Sequence, residues 1–473
     1  MISPILQAKI YSTLGNSSSL VPLAIKDVTN SIGLTAGSFV TGKEEGTDRF
    51  IDEFGTEALW LLGIPAYKGL FNLTCFMPKG LDYNFDARNL RNPLIQNLVK
   101  KYAPEELKEN IDNVIKKQKL YKKLATAKFG VSVGLAIATY IGLTKFKQHY
   151  TDKNIRENIL EEYAEAKKAK SRETSDKQVT QAPEITPPTF KGLGKVVQDF
   201  ACDPVKNMWL LDGGITTERI VDSRGSQERW GYVLKEGSFL FFMYYFGDKL
   251  QEMLENRAKK VYDKTIRFDA RVIENPEFRK AFEENKVAKD LEAFKTLLDK
   301  INKPTNIPGV KTTIINPELF KEAQIYEFIH NNKDNIIVKT AIESDYIQTY
   351  KKTKSNIGFK DIMKLSFKED TGMIDTRKYF DTEKIINHYN NLEKLLAEYN
   401  SKKPQESSEQ FFATIKRLKR GAIINNIGGS ILVLGVITPT VMVLKRLLSP
   451  NDKEFCRKKE IREQMLKNGE IVA

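Results

Sequence analysis

Four apolar runs stand out from a chain that is otherwise rich in charged residues. They comprise residues 58–77, 129–144, 230–247 and 421–444. The last run holds 24 residues without a charge between Arg420 and Lys445, so it is long enough to cross a bilayer as a helix. Pro439 lies within this run and is expected to kink the helix.

The run 129–144 is shorter, but Lys128 and Lys145 flank it, and their long side chains can reach the two membrane surfaces. Small residues recur along both of these spans, as they do where membrane helices pack closely on one another. We predict helix packing, and contacts through which copies of the chain would oligomerise, at Gly130, Gly134, Gly142, Gly421, Gly428 and Gly435.

The other two runs leave the number of membrane spans open at two or four. Gly63 and Pro65 interrupt the run 58–77, so a spanning helix, a re-entrant segment and a buried helix of a soluble domain are all retained as alternatives. Lys235 and Glu236 shorten the uncharged part of 230–247 to eleven residues. A buried or interfacial helix is therefore the favoured interpretation there.

One nine-residue motif occurs twice, and this indicates an internal duplication. FDARNLRNP at 85–93 returns as FDARVIENP at 268–276, 183 residues later, with six identical positions. The tripeptides that begin at Gly33 and Gly214, and the segments that begin at Glu53 and Glu236, match at nearly the same offset. The fold class predicted is mainly α: an internally duplicated helical membrane protein with a soluble, mostly helical insert in the second repeat.

The predicted domain boundaries follow from this alignment. They are a first repeat at 1–150, a charged helix and linker at 151–192, the first part of a second repeat at 193–284, a soluble insert at 285–405, and the end of the second repeat with a basic tail at 406–473. Within the insert, Asn316-Pro317 and Asp381-Thr382 are predicted helix starts and 385–399 an apolar helix face. The stretches predicted as strands are 310–315 and 335–342.

Each FDAR motif pairs an Asp with an Arg two residues later and ends in Asn-Pro, which favours a helix start. The favoured interpretation of the motif is therefore helix capping. The alternative is a polar site between the repeats, formed by Asp86, Arg88, Asp269 and Arg271.

Charge and composition narrow the classes of partner. The chain has 75 Lys and Arg residues against 61 Asp and Glu, a net charge of +14 that favours an anionic partner. A bilayer with anionic headgroups fits the apolar runs, whereas the chain has no motif of a nucleic-acid-binding module, so nucleic acid is disfavoured. The three cysteines are far apart, which disfavours a disulfide framework.

Residues with the spacing of a catalytic or cofactor site are missing from the sequence. The three histidines are isolated and no phosphate-binding loop is present, so we predict no catalytic residues, no cofactor and no metal site. Neighbouring acidic residues on the charged helices are expected to face solvent.

These patterns support a membrane location, in the cytoplasmic membrane if the source is a bacterium, without fixing a specific function. The favoured class is a non-enzymatic scaffold or interaction protein, with a protein partner bound by the insert at 285–405. The alternatives are a small transporter or channel built from two repeats and a membrane-associated enzyme that acts on lipid.

Overall fold

The structure is a computed structural model that describes residues 4–15, 20–169, 194–223, 226–302, 316–363, 366–402, 406–448 and 456–471. In these ranges the chain is mainly helical, as predicted, and its strands form one antiparallel pair. The strands are β1 (Thr349–Thr353) and β2 (Lys368–Ile374), and Lys352 lies opposite Glu369.

The α-helices are, in chain order, α1 (Pro4–Gly15), α2 (Leu20–Thr41), α3 (Lys43–Ala58), α4 (Ile64–Phe71), α5 (Pro93–Tyr102), α6 (Glu105–Lys116), α7 (Gln118–Ala169), α8 (Gly194–Cys202), α9 (Pro204–Val221), α10 (Ser226–Leu240), α11 (Gly247–Tyr262), α12 (Ala270–Glu274), α13 (Pro276–Glu283), α14 (Lys286–Asn302), α15 (Pro317–Asn331), α16 (Ile336–Glu343), α17 (Phe359–Met363), α18 (Thr382–Lys402), α19 (Ser408–Ile431), α20 (Thr438–Leu448) and α21 (Cys456–Lys467).

Short π-helical segments join several of these helices into longer continuous helical segments. They are Leu59–Gly63, Asn72–Phe76, Phe241–Phe246 and Leu432–Ile437. Two of them come just before Pro65 and Pro439, because a proline removes one helical N–H and crowds the preceding turn. The runs 58–77 and 421–444 therefore stay helical where the sequence predicted an interruption and a kink.

The chain divides into two compact units. Unit 1 comprises Met1–Ser17, Phe71–Ala127 and Lys249–Asn425, and unit 2 comprises Ser18–Leu70, Lys128–Asp248 and Asn426–Ala473. Both FDAR motifs and the segment predicted as an insert belong to unit 1. The domain boundaries predicted from the duplication stay a prediction.

Unit 1 has one continuous hydrophobic core. Both motif phenylalanines, Phe85 and Phe268, are buried in it. The predicted helix α18 contributes Ile385, Leu392 and Leu395 from one face, which confirms the apolar face predicted for 385–399. The core thus joins the FDAR segments to the helices that follow them.

Several helix starts in unit 1 are set by side-chain caps. Asn92 accepts a hydrogen bond from the backbone N–H of Leu94 at 3.0 Å, and Asn316 caps α15 in the same way. The stretch 335–342, predicted as a strand, is instead helix α16, because Asn335 caps its first turn through the N–H of Ile337 at 2.9 Å. The predicted strand 310–315 and the predicted linker segment 174–189 lie outside the described residues.

Unit 2 is a bundle in which α2 packs on α3 and on the helical segments at 432–448. The closest approach is at Gly33, where a Cβ would lie 2.2 Å from the carbonyl oxygen of Gly435. Glycine is needed at this crossing because any larger residue would push the two backbones apart. Gly435 therefore lies at a close contact between two helices of unit 2.

The other predicted packing glycines have different surroundings. A Cβ at Gly130, Gly134 or Gly142 would meet no atom of a described residue within 4 Å, and the same holds at Gly421 and Gly428. The glycines predicted to pack on α7 therefore face open space among the described residues. Its proposed use in an oligomer stays a prediction.

Candidate functional site

A row of buried carboxyl groups lies along α3 in unit 2. Asp48 and Asp52 are four residues apart, and so are Glu53 and Glu57, so the two members of each pair lie one turn apart on the same side of the helix. Each is more than nine-tenths buried, and Asp52 is only 2 % exposed. The prediction that neighbouring acidic residues face solvent is wrong for this helix.

Three buried basic residues come from other helices to meet this row. Lys147 of α7 lies 3.6 Å from Asp52 Oδ1, and Lys235 of α10 forms a short ion pair with Glu53. Arg219 of α9 lies 3.3 Å from the same Asp52 oxygen. Charges this deeply buried need such partners, because an unpaired one costs several kcal/mol.

The Arg219 guanidinium is held from several directions at once. Its Nε donates to the hydroxyl of Tyr140 at 2.6 Å, and Nη2 donates to Thr56 Oγ1 at 3.1 Å. Nη1 donates to Glu236 in a short ion pair. A planar fork with five N–H donors suits this position, and a lysine could not fill it in the same way.

This part of the site is electrically balanced. Four carboxyl groups face four basic groups among the described residues, namely Asp48, Asp52, Glu53 and Glu236 with Arg49, Lys147, Arg219 and Lys235. The balance explains how so many charges can be buried together.

Three further carboxyl groups form an acidic end beside this balanced part. Ser31 Oγ donates to Glu57 at 3.0 Å, and the Tyr244 hydroxyl donates to Asp212. The carboxyl group of Asp27 lies beside that of Glu57 and lines the same small cavity. The hydrogen bonds described for Glu57 and Asp212 come from hydroxyl groups instead of from lysine or arginine.

A cavity of about 30 Å³ lies between the two parts of the site. Its lining includes the acidic end together with Glu53, Arg219, Lys235 and Glu236. That volume has room for a few water molecules at most. Among the described residues, no group of three or more His, Cys, Asp and Glu side chains is placed to hold a metal ion. The geometry therefore suits a proton or water rather than an organic ligand.

The four polar residues proposed from the FDAR motifs lie in unit 1 and form local caps. Asp86 accepts from the N–H of Arg88 at 2.9 Å and from its guanidinium. Asp269 and Arg271 repeat this geometry, and Arg271 also pairs with Asp345 at 2.8 Å. Helix capping accounts for these contacts, while the predicted polar site between repeats stays a prediction.

The structure adds a third copy of this cap that the sequence reasoning missed. Asp375 accepts from the N–H of Arg377 at 3.1 Å and from its guanidinium, and Asp381 then caps α18 six residues after Asp375. Asn92 follows Asp86 at the same spacing. The segment at 375–381 shares only the Asp-x-Arg pair and the capping position with the FDAR motifs. A pattern this short cannot be detected from identical residues in the sequence.

The buried network was also missed, although the sequence contains a signal for it. Lys235 and Glu236 stand inside an aromatic run, where a charge needs a buried partner. The acidic residues of α3 lie between two apolar segments. Comparison with protein families, with curated proteins and with solved structures finds no match.

Proposed function

We propose that unit 2 is embedded in a membrane and that the chain is a transport protein that moves protons or small cations. The observation that carries this proposal is the buried charge network inside a helical bundle that exposes large apolar side chains. Of the three classes considered from sequence, this favours the transporter over the scaffold and over an enzyme that acts on lipid.

The apolar surface supports the membrane location. Two helical stretches, Gln118–Ala164 and Ser408–Leu444, are long and apolar enough to cross a bilayer. Only 22% of the most apolar window of each is buried, whereas a core helix of a soluble protein would be mostly covered. Leu432, Val436 and Val441 are each more than half exposed. Exposed apolar side chains in such a run are stabilised by lipid.

The buried charges support transport. Ionisable groups within a membrane protein are costly, and they commonly mark ion pathways or proton relays. A buried ion pair is also a weak source of stability compared with apolar packing of the same volume. A bundle that served only as a scaffold would gain more from leucine at Glu53 and Lys235 than from this pair.

The relation between the two copies supports the same proposal. Asp52-Glu53 and Lys235-Glu236 are 183 residues apart, the offset of the FDAR motifs. Their side chains meet in one network, since Lys235 pairs with Glu53. In many transporters the ion site lies between two repeats and is built from equivalent positions.

Flux in proteoliposomes tests the proposal. We expect the reconstituted wild-type chain to carry protons, sodium or potassium down an imposed gradient, measured with an entrapped indicator dye. A double variant, Glu53→Gln with Lys235→Met, removes a buried pair without changing net charge and should abolish the flux.

The matched control is Lys100→Met with Asp112→Asn. This pair lies 2.5 Å apart in unit 1 with both side chains 41% exposed, so its loss should leave flux unchanged. Wild-type vesicles no more permeable than empty ones to all three ions would overturn the proposal. So would equal flux in the two double variants.

A further inference from the structure

The acidic end of the site contains a carboxyl group without a complete set of partners. Glu57 is 6 % exposed, and its Oε2 lies buried with no described group that donates a hydrogen bond to it. Its Oε1 accepts from Ser31. The neighbouring carboxyl group, which lines the same cavity, belongs to Asp27.

Two ionised carboxylates cannot be hydrogen-bonded to each other, because each oxygen is then an acceptor only. One proton shared between them supplies the missing donor and removes one of two adjacent negative charges. We propose that Asp27 and Glu57 share one proton and form the proton-binding site of unit 2. Its role in transport rests on the proposed function, whereas the shared proton does not.

The other charged groups around the cavity favour a proton on this pair. Asp212 adds a third carboxyl group, and the Tyr244 hydroxyl already donates to it. Lys235 forms ion pairs with Glu53 and Glu236, and Arg219 forms ion pairs with Asp52 and Glu236. In the segments at 432–448 that pack on α2, residues 432–444 carry no charge, and Lys445 and Arg446 follow them. The basic groups that line the cavity are thus engaged elsewhere.

Release of the proton can be written with the groups present. The O–H bond of the protonated carboxyl breaks, the proton passes to a water molecule in the cavity, and both carboxylates are left ionised. The pair then carries two negative charges beside Asp212. Arg219 and Lys235 line the same cavity and are the cations described there that could shift toward them. Uptake is the reverse step.

Infrared spectroscopy of the purified full-length chain in detergent tests the shared proton. A protonated carboxylic acid has a separate carbonyl stretch that shifts in heavy water. We expect this band at neutral pH in the wild type and its loss in both Asp27→Asn and Glu57→Gln. Each amide can still donate a hydrogen bond to the remaining carboxylate, so both variants should fold.

Three comparisons make the test specific. Glu161→Gln, at an exposed position of α7, should keep the band, and so should Asp212→Asn. A band that survives in both Asp27→Asn and Glu57→Gln, or that is missing from the wild type, would overturn the proposal. If the band disappears as sodium is added and returns when sodium is removed, the pair is a sodium site instead.

The same samples separate this inference from the proposed function. If the band shows the expected variant pattern but the protein gives no flux, the shared proton is supported and the transport function is overturned. If the protein gives flux but lacks the band, the transport function is supported and the shared proton is overturned. Thermal unfolding of each variant shows whether a lost band reflects a lost proton or a lost fold. If one variant unfolds, the other one decides the result.

Discussion

Replacement of Arg219 by methionine should be among the most damaging single changes in unit 2. Methionine has a similar length and no charge, so Arg219→Met leaves the packing volume nearly intact. It removes the guanidinium group, which lies 3.3 Å from Asp52 and also contacts Glu236. It also removes the donor to the Tyr140 hydroxyl.

The magnitude follows from the partners that remain. Asp52 keeps Lys147 at 3.6 Å, and Glu236 keeps Lys235 at 3.1 Å, so neither carboxylate is left completely unpaired. Lys235 must then serve both Glu53 and Glu236. Breaking a buried pair from one side costs about 3–5 kcal/mol. Since about 1 kcal/mol shifts the melting temperature of a domain this size by roughly 2–4 °C, we expect a fall of about 10 °C.

Thermal unfolding of the purified chain, followed by circular dichroism, measures this shift. Adding Glu236→Gln to Arg219→Met should restore part of the lost stability, because it removes the carboxylate left short of a partner. Lys100→Met at the exposed pair with Asp112 should change the melting temperature little. A double variant less stable than Arg219→Met alone, or a shift no larger than that of Lys100→Met, would refute the reasoning.

Three further predictions concern helix packing, pH and topology. Gly33→Leu should lower the melting temperature strongly, because the new side chain would collide with Gly435. Gly130→Leu should be tolerated, because its position is open. Equal shifts of the melting temperature in the two variants would contradict a close helix crossing at Gly33. Burial lowers the pKa of the His388 imidazole to about 4, so the folded protein keeps it neutral while the unfolded chain protonates it near pH 6.5. The free energy of unfolding should thus fall by about 3 kcal/mol from this residue as the pH drops from about 6.5 to 4. Chemical unfolding of His388→Gln should show a correspondingly weaker dependence of this free energy on pH. An unchanged dependence would contradict the prediction. The chain should stay in the membrane fraction after alkaline washing. If two runs span the membrane and the repeats are inverted, an impermeant thiol reagent should label Cys202 and Cys456 from opposite sides of the membrane. Labelling of both cysteines from one side alone would support four spans and parallel repeats.

The parts of the fold that sequence reasoning predicted correctly are those decided by local chemistry. Asn92, Asn275 and Asn316 each stand before a proline, and each caps a helix by accepting a backbone N–H two residues ahead. The cap requires only the Asn side chain and the fixed φ of the proline, so nothing distant can change the outcome.

The errors have a different physical origin. The stretch 335–342 is rich in β-branched residues, which favour a strand, yet it is helical because Asn335 caps it and its apolar side chains are buried in the core of unit 1. Tertiary packing outweighed a propensity of a few tenths of a kcal/mol per residue.

The candidate site depended on information that spacing alone does not contain. Residues four apart on α3 predict that Asp48 and Asp52 share a helix face, but not that this face is buried. Burial depends on cations delivered by three other helices, and the nearest of these in sequence, Lys147, is 95 residues from Asp52. A single sequence gives no measure of that proximity, so the solvent-exposed interpretation was favoured.

If the predicted duplication is real, the meeting of Glu53 with Lys235 bears on how such a chain could bury charge. If the two copies arose from one ancestor, equivalent positions would at first have carried the same charge, and carboxylates facing each other in a bundle repel. Glu53 and Glu236 keep that shared identity, whereas Asp52 in the first copy corresponds to Lys235 in the second. The change of sign at this one position turns repulsion into the ion pair between Lys235 and Glu53. It also leaves Asp52 free to pair with Lys147 and Arg219, residues that the alignment does not relate to each other. Divergence at a single position, followed by cations recruited from α7 and α9, is therefore sufficient to account for the balanced part of the network.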